Sequence, residues 1–559
     1  MSARSRSRRS RGGPKTPDGR LRLLAVGFII ALAVLAGRAV LLSATSDGLS
    51  AMAAQQQQRT VELPAHRGSI YDRTGELMAV GEDRQTVYAT PSMLDDPMKA
   101  AQQLGHALKI SPSKLYRALS DHKSGFAYVA REVDPALAHK ALALGIDGVG
   151  SYPEELRVYP LRSVAAQILG FVGTDKKGLD GLELTLDKDL RGRTGSETVV
   201  QDPSGGVLRT TQVRKPADGE DVRLTIDADI QFHAEQVLRH VLSTLGGKNA
   251  AAIVMDPRDG SVLTLANAPT LNANEYAAHA DQARDRAITD VMEPGSIFKV
   301  ITMCAALQTG VVTPDQTFWL PPTITVGGKT IHEAEPRGTE KFTLGQILVK
   351  SSNVGAATLG VKLGQSRLQQ WIDRFGLGKP TGLPLPGEAA GLLPNYWSES
   401  SLGNVPMGQG ISVTAIQMAR AYCAVANGGI LLKPRLVAQI GDQVQPADKG
   451  TRILDENVAH EVLRMMVDVV KEGTGTSAQI PGYVVAGKTG TAQIPDPVHG
   501  GYMKKYLSSF IAVVPAAHPQ LVVLVMVNQP TLAYYGAQVA APAARDIAQF
   551  ALQHLKIAP

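Results

Sequence analysis

At 559 residues the chain is too long for one ordinary hydrophobic core, which argues for two or three domains. Hydrophobic residues at 44% and charged residues at 19% are the proportions of a folded protein, and two cysteines exclude a disulfide scaffold or a four-thiolate zinc site. The net charge of +6 sits at one end: residues 1–22 carry eight basic side chains against Asp18, so the remainder sums to about −1 and a basic nucleic-acid-binding body is excluded.

The basic tail, residues 1–22, runs into an apolar stretch from Leu23 to Gly37 that continues, after Arg38, through Ala39 to Leu42. About 20 such residues make roughly 30 Å of helix, enough to cross a hydrocarbon core. Arg38 lies near one end, where a long side chain reaches the headgroups. Positive charge confined to the near side predicts a cytoplasmic N-terminus and an exported remainder. Ala51-Met52-Ala53 has the look of a leader cleavage site. A leader of about 53 residues would far exceed the usual 15–30, so residues 23–43 are expected to stay as an uncleaved anchor. Residues 44–58, with Gln55 to Gln58, read as a stalk.

Residues 59–216 are glycine-rich, with short apolar runs such as Gln167–Val172 and helical spacing near Lys99–Leu108 and Pro135–Leu144, which predicts a mixed module without evident chemistry. From about residue 221 the elements lengthen, defining a second domain over 221–557. Ala250–Asp256 and Ser261–Ala266 read as a hairpin around Pro257-Arg258-Asp259-Gly260. Near the end, Tyr483–Ala486, Leu507–Val514 and Leu521–Val527 are β-rich runs suited to adjacent antiparallel strands.

Ser-x-x-Lys occurs at Ser111–Lys114, Ser120–Lys123 and Ser296–Lys299. The first two lie in polar surroundings. The third follows Pro294-Gly295 and opens a strongly apolar helix, placing Ser296 over unpaired amide donors and Lys299 on the same face. A desolvated lysine loses affinity for its proton and can serve as a base. Lys350-Ser351-Ser352-Asn353 opens another helix of small residues, offering a hydroxyl and an amide. Lys488-Thr489-Gly490-Thr491 follows a β-branched run, where a strand edge can pair with an extended peptide while lysine and hydroxyls take a carboxylate. In this order, on helix, helix and strand, the three pieces form the motif set of serine β-lactamases and penicillin-binding proteins.

Gly482 to Thr489 also fits the phosphate-loop pattern. Its interior, Tyr-Val-Val-Ala, has strand composition, and Pro495 and Pro497 obstruct the helix such a loop requires, so nucleotide binding is not expected. His332-Glu333 reads as a loop pair rather than a metal site, and Cys304 and Cys423 as small buried hydrophobes. No cofactor or metal is implied.

With these residues in place, the chain resembles a class B high-molecular-weight penicillin-binding protein. Arg67-Gly68-Ser69-Ile70-Tyr71-Asp72-Arg73-Thr74-Gly75, Arg157-Val-Tyr159-Pro160 and Gly178-Leu-Asp-Gly181-Leu-Glu183 look like motifs of its N-terminal module. The contexts of Ser296, Ser351 and Lys488, and the segment Tyr534-Tyr535-Gly536, look like the division-specific branch. The sequence before Arg59 leaves no room for a glycosyltransferase domain, and the chain stops at Pro559 without added C-terminal modules.

The resemblance implies an α+β, multidomain architecture: a penicillin-binding serine-transpeptidase fold with an antiparallel sheet flanked by helices, preceded by a mixed α/β pedestal module and one transmembrane helix. It implies that Lys299 activates Ser296 against the peptide bond between two terminal D-alanines of a stem peptide. Ser351 would relay a proton and Asn353 would hold the peptide amide. Lys488, staying charged, would help keep Lys299 neutral. Thr489 and Thr491, beside an unobstructing Gly490, would bind the carboxylate, and the amides of Ser296 and Thr491 would form the oxyanion hole. The implied partners are peptidoglycan stem peptides, β-lactams, the membrane, a polytopic glycan polymerase and other division proteins. An elongation-type transpeptidase, a carboxypeptidase or a penicillin-binding scaffold are the alternatives. A β-lactamase would be near half this length.

Overall fold

The computed structural model describes residues 18–201 and 207–559; the basic tail up to residue 17 lies outside them. The chain divides into two compact units, residues 1–64 with 194–217, and residues 65–193 with 218–559.

The first unit opens with α1 (Asp18–Gln57), a single helix of 40 residues. Its Gly19–Ser43 portion is long and apolar enough to span a bilayer, and it is wholly exposed. The residues expected to form a stalk, 44–57, continue this helix. A three-stranded antiparallel sheet of Gln58–Leu63, Gly195–Gln201 and Val207–Arg214 completes the unit.

In the second unit, Leu77–Ala89 pairs with both Ala127–Val133 and Val149–Val158 in a seven-stranded sheet. The helices expected near Lys99 and Pro135 are Pro97–Leu108 and Pro135–Leu142. Each begins at a proline behind an aspartate whose carboxylate takes first-turn amides, Asp96 and Asp134. Their buried faces (Leu104, Ala141) pack on Val87, Ala89 and Val129 of the sheet. The apolar run at Gln167 forms a buried helical turn, Ala166–Leu169. The three motif segments of this module meet at one carboxylate. Fully buried Glu183 pairs with Arg67 Nε at 2.7 Å and Arg157 Nε at 2.6 Å, while Arg67 Nη1 reaches Asp187 at 2.8 Å. Buried charges persist only when paired this completely. The same sheet extends through Ile70–Tyr71 and Val222–Leu224 to Val437–Ile440, so it crosses the boundary expected near 216–221.

The rest of the unit is built on a five-stranded antiparallel sheet: β1 (Asn249–Met255), β2 (Val262–Ala268), β3 (Ala486–Pro495), β4 (Tyr502–Val514) and β5 (Leu521–Asn528), in the order β2-β1-β5-β4-β3. The expected hairpin and the adjacent C-terminal strands are thus present. One assignment shifts: the strand at the Lys-Thr-Gly segment starts at Ala486, so Lys488 to Thr491 lie within it. Strand residues alternate between two cores, as a period of two requires. Ala250, Ala252, Val523 and Val525 join one core; Ala251, Ile253, Val522 and Leu524 join the other.

Helices cover both faces. On one lie α2 (Ala228–Leu245) and the C-terminal α7 (Ala540–His554). On the other lie α3 (Lys299–Gln308), α4 (Asn353–Leu363), α5 (Ala415–Ala426) and α6 (Glu456–Glu472). α5 is started by a capping box between Thr414 and Gln417, which satisfies amides at its buried N-terminus. Among the described residues β3 is an edge strand, leaving one side available for pairing beside the start of α3.

Candidate active site

The apolar helix expected at Ser296 begins as a 3-10 turn, Gly295–Phe298, which passes directly into α3. Gly295 has φ +56°, and a Cβ there would come within 3.0 Å of Ala492 Cβ, so the turn lies against β3. Gly408 faces it: its carbonyl accepts from Gly295 N–H at 2.9 Å, and a Cβ on it would meet Gly295 O at 2.1 Å. Two further contacts fix the turn. Glu293 accepts from Gly410 N–H at 2.8 Å and from the Tyr502 hydroxyl at 3.0 Å. Tyr422 of α5 donates its buried hydroxyl to Ile297 O at 2.7 Å. Ser296 itself is half-buried.

One helical turn on, Lys299 is 2% exposed. Its Nζ donates to Ser351 O at 2.6 Å and Asn353 Oδ1 at 2.8 Å, and lies 3.4 Å from Ser351 Oγ. Burial pushes its pKa down to about 7, against an opposing pull from Glu333. Ser351 adopts φ +54°, a left-handed conformation costly for a residue with a side chain, and one that clusters at functional sites. Ser352 caps α4 by accepting Gly355 N–H at 2.9 Å.

Lys488 on β3 is fully buried and donates to Ser351 Oγ at 2.9 Å and Thr489 O at 3.1 Å. Burial, then repulsion from Lys299, holds its pKa well below the ordinary lysine value. This corrects the expectation of a charged Lys488 beside a neutral Lys299: both ammonium groups are destabilised. The Thr489 hydroxyl bonds that of Thr474 at 2.7 Å, and Thr491 Oγ1 accepts from Gly536 N–H at 2.9 Å. Beside Thr491 the rings of Tyr506 and Tyr534 stack at 4.3 Å, with Tyr535 tilted against Tyr534. Gly490 also needs correction. A Cβ there would meet Ser509 Oγ at 2.2 Å and Ile297 Cγ2 at 3.1 Å, so the glycine makes room for the protein's own packing.

Ser296, Lys299, Ser351, Asn353 and Lys488 to Thr491 therefore gather where α3, the start of α4 and β3 meet. The other two Ser-x-x-Lys motifs stand apart with exposed lysines, Lys114 and Lys123. The phosphate-loop alternative fails because strand, not helix, follows Lys488. Cys304 and Cys423 are buried and unpaired with each other. Sequence reasoning missed Gly408, Tyr422, Thr474 and, above all, Glu333, which binds the Ser-x-Asn turn from a loop distant in sequence.

A family model described as the penicillin binding protein transpeptidase domain matches residues 250–549, and one described as the penicillin-binding protein dimerisation domain matches residues 62–224. The chain belongs to the penicillin-binding protein transpeptidases. It is 34% identical to penicillin-binding protein PbpB of Mycolicibacterium smegmatis, over 96% of this chain and 89% of that one. It is 33% identical to the peptidoglycan D,D-transpeptidase FtsI of Escherichia coli, over 97% and 92%. The crystal structure of penicillin binding protein 3 from Mycobacterium tuberculosis complexed with aztreonam is similar at a TM-score of 0.71 and 30% identity, covering 89% of this chain and 98% of that one. This penicillin-binding protein is a class B serine transpeptidase, with the antiparallel, helix-flanked fold of that family and an N-terminal helix suited to anchoring it in a membrane.

Proposed function

We propose that the chain is a septal peptidoglycan D,D-transpeptidase that cross-links stem peptides through an acyl group on Ser296. The observation that carries this is the meeting of three motif segments at Ser351 Oγ, touched by Lys488 and close to Lys299, one helical turn from a half-exposed Ser296. Neutral Lys299 takes the Ser296 proton as the hydroxyl attacks the carbonyl between two terminal D-alanines. The oxyanion lies between the amides of Ser296 and Thr491, where one donor is worth about 3–4 kcal/mol. Ser351 passes the proton to the departing D-alanine, and Asn353 holds the peptide amide. Thr489 and Thr491 bind the terminal carboxylate, whose arrival favours the protonated form of Lys488. An amine from a neighbouring strand then attacks the acyl-enzyme and leaves a cross-link. β-Lactams enter as mimics of the D-Ala-D-Ala end and stop at the acyl stage.

The anchor, with its basic residues on the N-terminal side, holds the catalytic domain outside the cytoplasm. The septal role rests on similarity to FtsI over nearly the whole of both chains. In that role the partners are a polytopic glycan polymerase and other division proteins, with the N-terminal module free of catalytic groups and suited to docking them.

Fluorescent penicillin, with the adduct mapped by mass spectrometry, tests the chemistry: label on the Ser296 peptide that disappears in Ser296→Ala supports it, and label at Ser111 or Ser120 overturns it. Depletion in cells tests the division role, with filaments expected and loss of rod shape assigning the enzyme to elongation.

A further inference from the structure

Glu333 lies in the loop after the strand Lys329–His332, eighteen residues before Ser351, and its side chain is only 8% exposed. Both carboxylate oxygens are committed to the Ser-x-Asn turn. Oε1 accepts from Ser352 Oγ at 2.5 Å and Oε2 from the Asn353 amide at 2.7 Å. The adjacent His332 carbonyl takes Asn353 Nδ2 at 3.0 Å, which turns Asn353 Oδ1 towards Lys299. Arg337 supplies the counter-charge, with Nη2 at 2.6 Å from Glu333 Oε1. Arg337 is itself fixed by Leu320 O at 2.8 Å and by the Phe342 ring, 4.8 Å from its guanidinium.

We propose that Glu333, with Arg337 as its counter-ion, is a positioning residue that fixes the Ser-x-Asn turn and biases the charge of Lys299. The charged and titratable groups facing that part of the site are few. β3 contributes Lys488, and the loop contributes Glu333, Arg337 and the exposed His332. From the turn, Ser351 and Asn353 touch Lys299 and are neutral, while Lys350 is exposed. The helices packed on α3 contribute buried apolar side chains such as Val354, Leu359, Val462 and Met466. A carboxylate bonded to the turn that touches Lys299 favours its ammonium form; Arg337 offsets that pull. The pair thus holds Asn353 in place without committing Lys299 to its proton.

This rests on Lys299 being the base. The rate of penicillin acylation is measured against pH in the full-length protein. Glu333→Gln keeps an acceptor for the turn but removes the charge, so its acid limb should move to lower pH, by on the order of one unit. Arg337→Met leaves the carboxylate uncompensated, so its limb should move to higher pH, and Arg337→Lys should restore the parent position. Opposite shifts are the signature, because a variant that merely loosens the turn lowers the rate at every pH without moving the limb. Thermal melting confirms that each variant folds, and Glu333→Asn, which also removes the charge, replaces the glutamine variant if that does not. Unmoved limbs, or limbs moving the same way, overturn the proposal. Normal acylation by Lys299→Arg would instead overturn the reading of Lys299 as base.

Discussion

Lys299 and Lys488 converge on one oxygen: their Nζ atoms lie 3.4 and 2.9 Å from Ser351 Oγ, and both side chains are buried. Burial disfavours both positive charges, and the charge on Lys299 further lowers the affinity of Lys488 for a proton. A base is thereby available near neutral pH from a residue that in water would hold its proton to about pH 10.

The acylation rate should therefore follow the neutral fraction of Lys299. With its pKa near 7, the rate should fall about tenfold per pH unit below that point and level off above it. Lys299→Arg keeps a cation but cannot give up its proton, so acylation should drop by about 10²–10⁴-fold at all accessible pH values. Stopped-flow acylation with a chromogenic β-lactam checks both. A flat profile between pH 5 and 8 would assign the proton to another group.

Gly490 gives a second prediction, and its mechanism differs from simple access for substrate. A Cβ at this position meets Ser509 Oγ at 2.2 Å and Ile297 Cγ2 at 3.1 Å, so Gly490→Ala pushes the Lys-Thr-Gly strand against its neighbour and the nucleophile's turn. Overpacking of this kind costs about 1–3 kcal/mol. Acylation and melting temperature should fall together, and Ser509→Ala in the same chain should recover part of both. If the glycine served only to keep the strand edge open to a peptide, removal of the Ser509 hydroxyl would recover nothing.

What the sequence made legible follows from how local each signal is. Ser296 and Lys299 lie on one helical turn, and Ser352 caps the helix that Asn353 begins, so spacing alone places these groups. The strand runs at Leu507 and Leu521 carry Ile511, Val513 and Val514 in one and Val522, Val523, Val525 and Val527 in the other, and are buried on both faces. Glu333 and Tyr422 were not legible, because their roles depend on contacts across 20 and 125 positions that no periodicity encodes. Gly490 was legible as a requirement but not as a cause. The shift of the strand start from Tyr483 to Ala486 has the same origin: Tyr483 and Val485 are β-prone, yet the pairing partner on β4, Val513, begins opposite Ala486.

The anchor yields a third prediction. The Gly19–Ser43 helix is exposed along its whole length, and the basic residues of the tail precede its apolar stretch, which begins at Leu23. A reporter fused after Pro559 should be active outside the cytoplasm, and the mature protein should retain its first 22 residues by N-terminal sequencing. A soluble product beginning near Ala54 would mean the helix is removed as a leader.

The fourth prediction concerns a carboxylate remote from the chemistry. Glu235 on α2 is 1% exposed; Oε1 accepts from Ala165 N–H at 2.9 Å and Gln231 Nε2 at 2.8 Å, while Oε2 is buried without a hydrogen-bond partner. Burial raises its pKa from 4.5 to about 7, more than those two bonds lower it. In the unfolded chain the group titrates near the ordinary value, so between these limits the folded form binds more protons than the unfolded form. Its contribution to stability is therefore fully present below about pH 4.5 and is lost as the pH rises through about 7. Glu235→Gln mimics the protonated state at every pH and keeps an acceptor for Ala165. Relative to the parent, the variant should gain up to about 3 kcal/mol as the pH rises from about 4 to about 8, on top of any constant offset. Thermal or urea unfolding of the two proteins at both ends of that range measures the gain, and a difference that stays constant with pH would show that Glu235 remains ionised in the fold.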